Sequence, residues 1–275
     1  MSLSLASIHI HPIKSLGGFP VEEARLTDRG SEHDRRWMLV DENGIFITQR
    51  ELAEMACLHT APIAGGFTVI DVRSDDRIEL PWSIDQGEKL RVQVWSSSVN
   101  AIHLRDADQW FSKALDRKVR LVYMPNESRR HTDGRYAKSL NSFSDGFPYL
   151  IVSQASLDDL NTKLTSIGKA AVPMDRFRPN LVIAGGDAFQ EDHWRSITIG
   201  DVPFDVVKPC ARCVIVTTDQ RTGKREKEPL KTLSTYRSKG NKVLFAMNAV
   251  ALNGGMIRFG DRIEVQHLRS DVIER

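Results

Sequence analysis

Short alternating apolar runs, broken every few positions by Gly, Pro, Asn or Asp, recur along most of this chain and constrain it to a β-rich fold. "LASIHIHPIKS" alternates up to Pro12, as a half-buried strand does. "RRWMLVDENGIFITQR" reads as a hairpin whose turn is Glu42-Asn43-Gly44, where Asn-Gly supplies the positive φ of a tight connection. "GGFTVIDV" and "LRVQVWSSSVNAIHL" carry the β pattern on to about residue 104. Helical spacing appears in "DADQWFSKALDRKV", which puts Trp110, Phe111, Ala114 and Leu115 on one face with Asp106 as the expected N-cap. "VRLVYMP" then returns to strand.

The stretch from about 125 to 142 is polar, basic and aperiodic, which places a loop or domain joint there. A buried strand and a helix follow in "PYLIVSQASLDDLNTKLTSIG", with Ser156 expected as N-cap and Asp159 completing a capping box. "FRPNLVIAGG", "ITIGDVPFDVVKP", "CVIVTTD", "KVLFAMNAVAL" and "GMIRFGDRIEVQ" are further strand candidates. So many strands with few helices predict a mainly β fold with some α, of the α+β class, barrel-like rather than doubly wound. The joint divides it into an N-terminal β-barrel-like domain over residues 1–124 and a second β-barrel domain over 125–275.

Thirty-eight basic and thirty-six acidic residues leave a formal charge of +2, so no global field favours nucleic acid or a membrane surface. Three cysteines in 275 residues argue against a disulfide framework and suit a reducing compartment. The N-terminus lacks the pattern of a secretory signal, and no apolar stretch reaches the roughly 20 residues that span a bilayer. A cytoplasmic protein with no membrane and no nucleic-acid partner is the expectation.

The chemistry-bearing motif is "KPCARC", residues 208–213. Structural zinc takes four Cys or His ligands, yet Cys57 sits in the apolar run "MACLHTAPI" and His103 and His131 are isolated. A redox pair should open a helix, whereas this pair enters a β-branched run. Two buried thiols remain the plain alternative. Lys208 and Arg212 favour a thiolate, which could serve as the single protein ligand of a metal already held by an organic cofactor. Taken singly, Lys14 and Arg35 read as solvated charges, Arg178 as a surface ion-pair partner, and Asp145 before Gly146 as a turn residue.

Taken together, "KPCARCVIVTTDQRTGKREKEPLKTLSTYR", "HPIKSLGG", "DRRWMLVDENGIFITQRE", "SFSDGFPYLIVSQASLDDLN" and "RFRPNLVI" resemble, in order and over nearly the whole chain, the MOSC-domain proteins with a MOSC N-terminal β-barrel domain. The branch they resemble includes the amidoxime-reducing components. The resemblance implies a molybdenum cofactor (molybdenum-molybdopterin) bound in the MOSC domain, with Cys213 as metal ligand and Cys210 nearby. It implies that Lys14, Ser15, Arg35, Arg178 and Asn180 hold the cofactor's phosphate and pterin. Asp145 would stand beside the metal in a catalytic role, Gly146 and Phe147 along the cofactor, and Arg212 and Asn248 in contact with it. Separated Lys and Arg side chains suit such a ligand, since guanidinium groups bind phosphate oxygens bidentately. The implied activity is reduction of N-hydroxylated compounds, such as hydroxylamino-purines or amidoximes, with a role in detoxification. The implied alternative is a carrier of molybdenum cofactor or sulfur without turnover. Pyridoxal phosphate binding is also attached to the family. No cysteine follows Cys213, so the spacing of a plant-type [2Fe–2S] domain is missing and a separate electron-transfer protein, flavin reductase or ferredoxin in type, is expected.

Overall fold

A computed structural model describes residues 2–270. The chain is mainly β with some α, as its patterning requires, and its sheets follow open paths. The largest has nine strands. Along its path lie Ile263–Leu268, Trp194–Ile199, Val202–Arg212, Lys242–Ala251, Tyr149–Ser153, Leu181–Ala184, Ser4–Ile10 and Phe19–Val21, with Ser238–Lys239 paired to Lys242–Ala251. Tyr149–Ser153 and Leu181–Ala184 are parallel, and the helix Gln154–Ser166 makes the crossover between them. Leu5, Ile8, Tyr149, Ile151, Phe204 and Met247 pack into one core on this sheet.

A four-stranded sheet joins Trp37–Val40, Arg120–Tyr123, Ser97–His103 and Glu88–Val94, and a three-stranded one joins Leu58–Ile63, Gly66–Asp71 and Asp76–Pro81. Trp37, Phe67 and Phe111 fill the core beneath them, the last from the helix Arg105–Leu115. The first residues of the chain are thus built into the large sheet, where Ser4–Ile10 lies antiparallel to Leu181–Ala184. Glu23–Thr27 likewise pairs with Gly255–Arg258. Beyond the end of Ser4–Ile10, residue His11 meets Asp34 and Pro179, segments far apart in the sequence.

Three local expectations need correction. Helix Arg105–Leu115 begins one residue before Asp106, so Asp106 lies in the first turn and Leu104 is the N-cap. Asp108 supplies the local anchor instead, accepting from Leu121 N–H at 3.0 Å and bonding His103 Nε2 at 2.7 Å. The second long helix starts at Gln154 with Ser153 as N-cap. Ser156 is buried inside it, where its hydroxyl donates to Glu191 Oε1 (2.8 Å) and accepts the Phe189 N–H (2.7 Å). The run after Cys213 is not a strand: Val202–Arg212 ends at the motif and Val214–Thr217 forms a 3-10 turn. Burial of Val216 against Phe177, Leu233 and Phe245 overrides the β propensity of the run. Cys57, by contrast, lies fully buried in the core.

Candidate functional site

The end of Ser4–Ile10, the 3-10 turn Met174–Phe177, the loop before Tyr149 and the end of Val202–Arg212 converge on a cavity of about 130 Å³. Every residue that the resemblance assigns to the site lines it: Lys14, Ser15, Arg35, Asp145, Gly146, Phe147, Arg178, Asn180, Arg212, Cys213 and Asn248; Lys208 lines the neighbouring chamber instead. Cys210 lines it too. It adjoins a larger chamber of about 640 Å³ with which it shares Asp145, Gly146, Phe147, Cys210, Ala211 and Asn248.

One wall is a buried clamp between distant segments. Arg35 Nη1 donates to both Asp34 oxygens (2.9 and 2.7 Å) and to Asn180 Oδ1 (2.9 Å), while its Nη2 reaches the Arg178 carbonyl (3.2 Å). Asp34 also accepts the His11 N–H at 2.9 Å. Burial raises the Asp34 carboxyl despite the Arg35 charge beside it. Burial, then the charges of Arg35 and Arg178, push the His11 imidazole well below its ordinary value, so it is neutral. Its Nε2–H donates to the Pro179 carbonyl at 3.1 Å. Glycine is required at position 18, because a Cβ there would lie 2.4 Å from His11 Nδ1. Arg178 Nη1 reaches the Leu16 carbonyl at 2.5 Å and, among the described residues, makes no ion pair with a carboxylate. Burial and the neighbouring Arg35 push its guanidinium down to about 9, the mark of a cation short of counter-charge.

The other wall surrounds the thiol. Lys14 Nζ donates to Asp145 Oδ1 (2.5 Å) and to the Phe143 carbonyl (2.8 Å). Arg50 Nη2 donates to Asp145 Oδ2 (2.7 Å), and Arg50 and Cys213 both line the cavity. Burial works to raise the Asp145 carboxyl, but Lys14 and Arg50 overcome it and hold it well below the usual carboxylate range. Burial lowers Lys14 to about 8, against the pull of Asp145 and with Arg130 and Arg50 adding to the fall. Arg130, buried, ties down the loop by donating to the carbonyls of Ser142 (2.7 Å), Ser144 (2.6 Å) and Asp145 (2.6 Å). Arg212 donates to Cys210 Sγ (3.1 Å) and to the Phe177 carbonyl (2.9 Å), and its buried Nε has no partner. Asn248 Nδ2 bonds the Lys208 carbonyl at 3.3 Å, which fixes the strand that ends at the cysteine.

Arg50 is the important residue that the sequence did not single out, although it stands in the quoted segment "FITQRE". Trp95 is a second. It sits at a hairpin tip with φ of 54° and 43 % exposed. Its indole N–H points to Asp145 Oδ1 (3.3 Å) and its ring lies under the Arg50 guanidinium (4.8 Å). Ser15, Arg35 and Arg178 also hold left-handed φ values of 67°, 48° and 54°. Each costs of order 1–3 kcal/mol for a side chain with a Cβ, and such strain concentrates at functional sites.

Lys14, Arg35, Arg50, Arg178 and Arg212 thus face a cavity whose lining carboxylate is Asp145. That donor set suits a multiply charged anion with hydrogen-bond acceptors. A Cβ on Gly146 would meet nothing within 4 Å, so the backbone there borders open space. Among the described residues no group of three or more His, Cys, Asp or Glu side chains is placed to hold a metal. Nor is any helix long and apolar enough to cross a membrane.

Comparison with known proteins agrees with this architecture. The MOSC domain model matches residues 138–264 and the MOSC N-terminal beta barrel domain model residues 2–118. Mitochondrial amidoxime-reducing component 1 of Homo sapiens is 31 % identical over 94 % of this chain and 82 % of its own length. Mitochondrial amidoxime reducing component 2 of Rattus norvegicus is 31 % identical over the same shares. Molybdenum cofactor sulfurase of Oryza sativa subsp. japonica is 32 % identical over 89 % of this chain, which spans only 32 % of that protein. Among solved structures, the YUAD protein of Bacillus subtilis overlaps 96 % of this chain and 94 % of its own at 10 % identity, with a TM-score of 0.40. The chain belongs to the family of MOSC-domain proteins that carry the MOSC N-terminal beta barrel domain.

Proposed function

We propose that this chain is a molybdenum-cofactor-dependent reductase of N-hydroxylated compounds, in which the cofactor occupies the basic cavity and Cys213 ligates the metal. The observation that carries the reading is the Cys213 thiol lining a cavity with an excess of cations, in which Arg50 and Lys14 are held by Asp145. A molybdopterin fits the chemistry of that lining: it brings phosphate charge to cations that lack it, and hydrogen-bonding ring edges to the unpartnered Arg212 Nε. Arg35, Arg178, Ser15 and Asn180 would hold the phosphate and pterin. Lys14, Arg212 and Asn248 would line the ring, with Gly146 and Phe147 along it. When bound, the cofactor supplies two-electron redox chemistry at its metal. In the overall reaction the hydroxylamine or amidoxime takes up two electrons and two protons and leaves as amine or amidine plus water. A separate one-electron carrier protein is the source of the electrons. The division at 124/125 belongs to this reading, with the site lying where the two parts meet.

The chain's own residues divide the remaining work. Asp145 stays ionised and holds Arg50 and Lys14 in place, so it orients the site rather than donating a proton. Lys14, lowered to about 8, carries on Nζ the proton closest to exchange at neutral pH. Trp95 adds a third donor to Asp145, and Phe147 lines the cavity beside it.

Similarity to the plant molybdenum cofactor sulfurase favours a second reading, a cofactor or sulfur carrier without turnover, with Cys210 as the sulfur-bearing thiol. One experiment separates the two. Protein from a cofactor-competent host is assayed for molybdenum and for reduction of 6-N-hydroxylaminopurine with reduced methyl viologen. Turnover that vanishes in Cys213→Ala, together with the bound molybdenum, is the expected result. Full activity in Cys213→Ala overturns the proposal, and a persulfide on Cys210 without turnover selects the carrier.

A further inference from the structure

A separate cavity of about 540 Å³ opens where four segments meet: the turn after Glu23–Thr27, the turn 32–35, the loop after Arg120–Tyr123 and the loop after Asp76–Pro81. It shares no lining residue with the basic cavity or the chamber beside it. Arg36 lines it as a cation without a counter-charge. Its Nε (3.2 Å) and Nη2 donate to the Met124 carbonyl, and Nη2 donates also to Asn126 Oδ1 (3.0 Å). Among the described residues its Nη1 makes no hydrogen bond and the guanidinium makes no ion pair. Burial pushes this guanidinium below its ordinary value; Arg29 adds to the fall, while Tyr123, Asp28 and Glu32 oppose it. The Tyr123 ring lies 5.1 Å from the Arg36 guanidinium and 4.9 Å from the Trp37 ring. Tyr123 is only 5 % exposed, yet it lines the cavity, and its hydroxyl has no partner among the described residues. The carboxylates of the lining are engaged elsewhere. Asp28 accepts from Arg29 Nε (2.9 Å) and Nη2 (3.3 Å), and Arg129 reaches it only at 3.4 Å. Glu32 stands 3.9 Å from Arg25, which does not line the cavity. Arg36 Nη1, the Tyr123 hydroxyl and the loosely held Arg129 are thus donors left for an oxyanion. The rest of the lining points to the body of the ligand. His33 holds a left-handed φ of 68°, a strained conformation of the kind that gathers at functional sites, with its imidazole stacked on Trp82 at 4.4 Å. Burial lowers this imidazole, so at pH 7 it is neutral, with one nitrogen to donate and one to accept. The Ser83 hydroxyl and the Asn126 amide nitrogen also have no partner among the described residues, and no aliphatic side chain lines the cavity. Such a lining favours hydroxyl groups over hydrocarbon, in a volume that encloses a small organic molecule.

We infer that this cavity is a binding site for a phosphate monoester of a small polyol, its phosphate taken by Arg36, Tyr123 and Arg129 and its hydroxyls by His33, Ser83 and Asn126. The site stands apart from the proposed reductase reading and does not depend on it. Glucose 6-phosphate, glucose and inorganic phosphate are titrated calorimetrically into the purified protein. The proteins compared are wild type, Arg36→Gln, Tyr123→Phe and Arg178→Gln. Arg178→Gln controls for phosphate entering the basic cavity, and Tyr123→Phe removes one hydroxyl while keeping the buried ring, so it stays informative if Arg36→Gln fails to fold. Glucose 6-phosphate should bind wild type about tenfold or more tighter than inorganic phosphate or glucose. Its affinity should fall about tenfold in Arg36→Gln and in Tyr123→Phe, the loss expected for a hydrogen bond to a charged group, and should hold in Arg178→Gln. Absence of binding to wild type overturns the site. So does binding that survives Tyr123→Phe unchanged, or that is lost in Arg178→Gln, since the anion then sits elsewhere. Inorganic phosphate binding as tightly as glucose 6-phosphate overturns the assignment of a polyol body.

Discussion

Replacing Arg35 by Met should destabilise the protein strongly, and in a way that depends on pH. Asp34 is 2 % exposed, and Arg35 is its bidentate partner at 2.9 and 2.7 Å. In Arg35→Met the carboxylate keeps the His11 N–H but loses its counter-charge. Breaking a buried ion pair on one side costs about 3–5 kcal/mol. For a chain of this size 1 kcal/mol corresponds to about 2–4 °C in Tm, so Tm should fall by roughly 6–20 °C at pH 8. The sign of the pH effect follows from Asp34. Burial already raises its carboxyl, and removing the guanidinium raises it further. A carboxyl raised in the folded state adds stability that is complete below its unfolded value near 3.8 and is lost as pH climbs through the folded value. The deficit should therefore shrink as pH falls from 8 towards 5, the span open to calorimetry before general acid unfolding. Asp34→Asn/Arg35→Met should recover part of the loss at pH 8, since the stranded charge is gone. Differential scanning calorimetry at matched scan rates measures all three proteins. A deficit below 2 °C, or one that stays constant from pH 8 to 5, would refute the view that the clamp neutralises a buried carboxylate.

Lys14, lowered to about 8, should give the reductase a descending limb in kcat/KM as pH rises through about 8 or above, because its ammonium form is the active one. Lys14→Arg, which stays charged, should remove that limb, and a limb that persists in the variant assigns the proton elsewhere. Glu191 is fully buried, and burial raises its carboxyl to about 7. Its contribution is therefore complete below 4.5 and is lost as pH rises through 7, a loss of about 3 kcal/mol at 1.36 kcal/mol per unit. Glu191→Gln should flatten that dependence and be no less stable than wild type at pH 8 in urea titrations. A wild-type stability that does not fall between pH 5 and 8, after the same change in the variant is subtracted, contradicts the assignment.

How far the site could be read in advance depended on the kind of information each residue carries. The cations, the SDGF loop and the cysteine lie in recognisable segments, and all of them face the cavity. Arg50 lies in a quoted segment too, but its role comes from meeting Asp145, 95 positions away, and no periodicity encodes that distance. Trp95 stands in a run legible only as continuing β pattern, and only the packing of the hairpin there brings the indole to Asp145. The local errors share a cause. Ser156 has an N-cap side chain, but Glu191 and Phe189 claim its hydroxyl. The Val214–Thr217 run has β-branched side chains, but the core claims Val216. In each case a tertiary partner outbids a propensity worth under about 1 kcal/mol per residue.

Several locally unfavourable features of this fold meet at the cavity, and together they argue more strongly than any single contact. Ser15, Arg35 and Arg178 take backbone conformations that side chains avoid. Lys14 and Arg178 are cations pushed downward by burial. Lys239 and Lys242 repel one another across a turn at the rim of the adjoining chamber. A fold held only by its own packing gains nothing from placing such elements side by side, since each could be relieved by Gly, Leu or Glu. Their common remedy is negative charge arriving from outside the chain. On the proposed reading, an anion in the inner cavity would offset the charge of Arg178 and of the lysine beside Asp145. On that reading the residues that weaken the free protein would be its ligand contacts, and ligand binding and folding stability would be coupled through them.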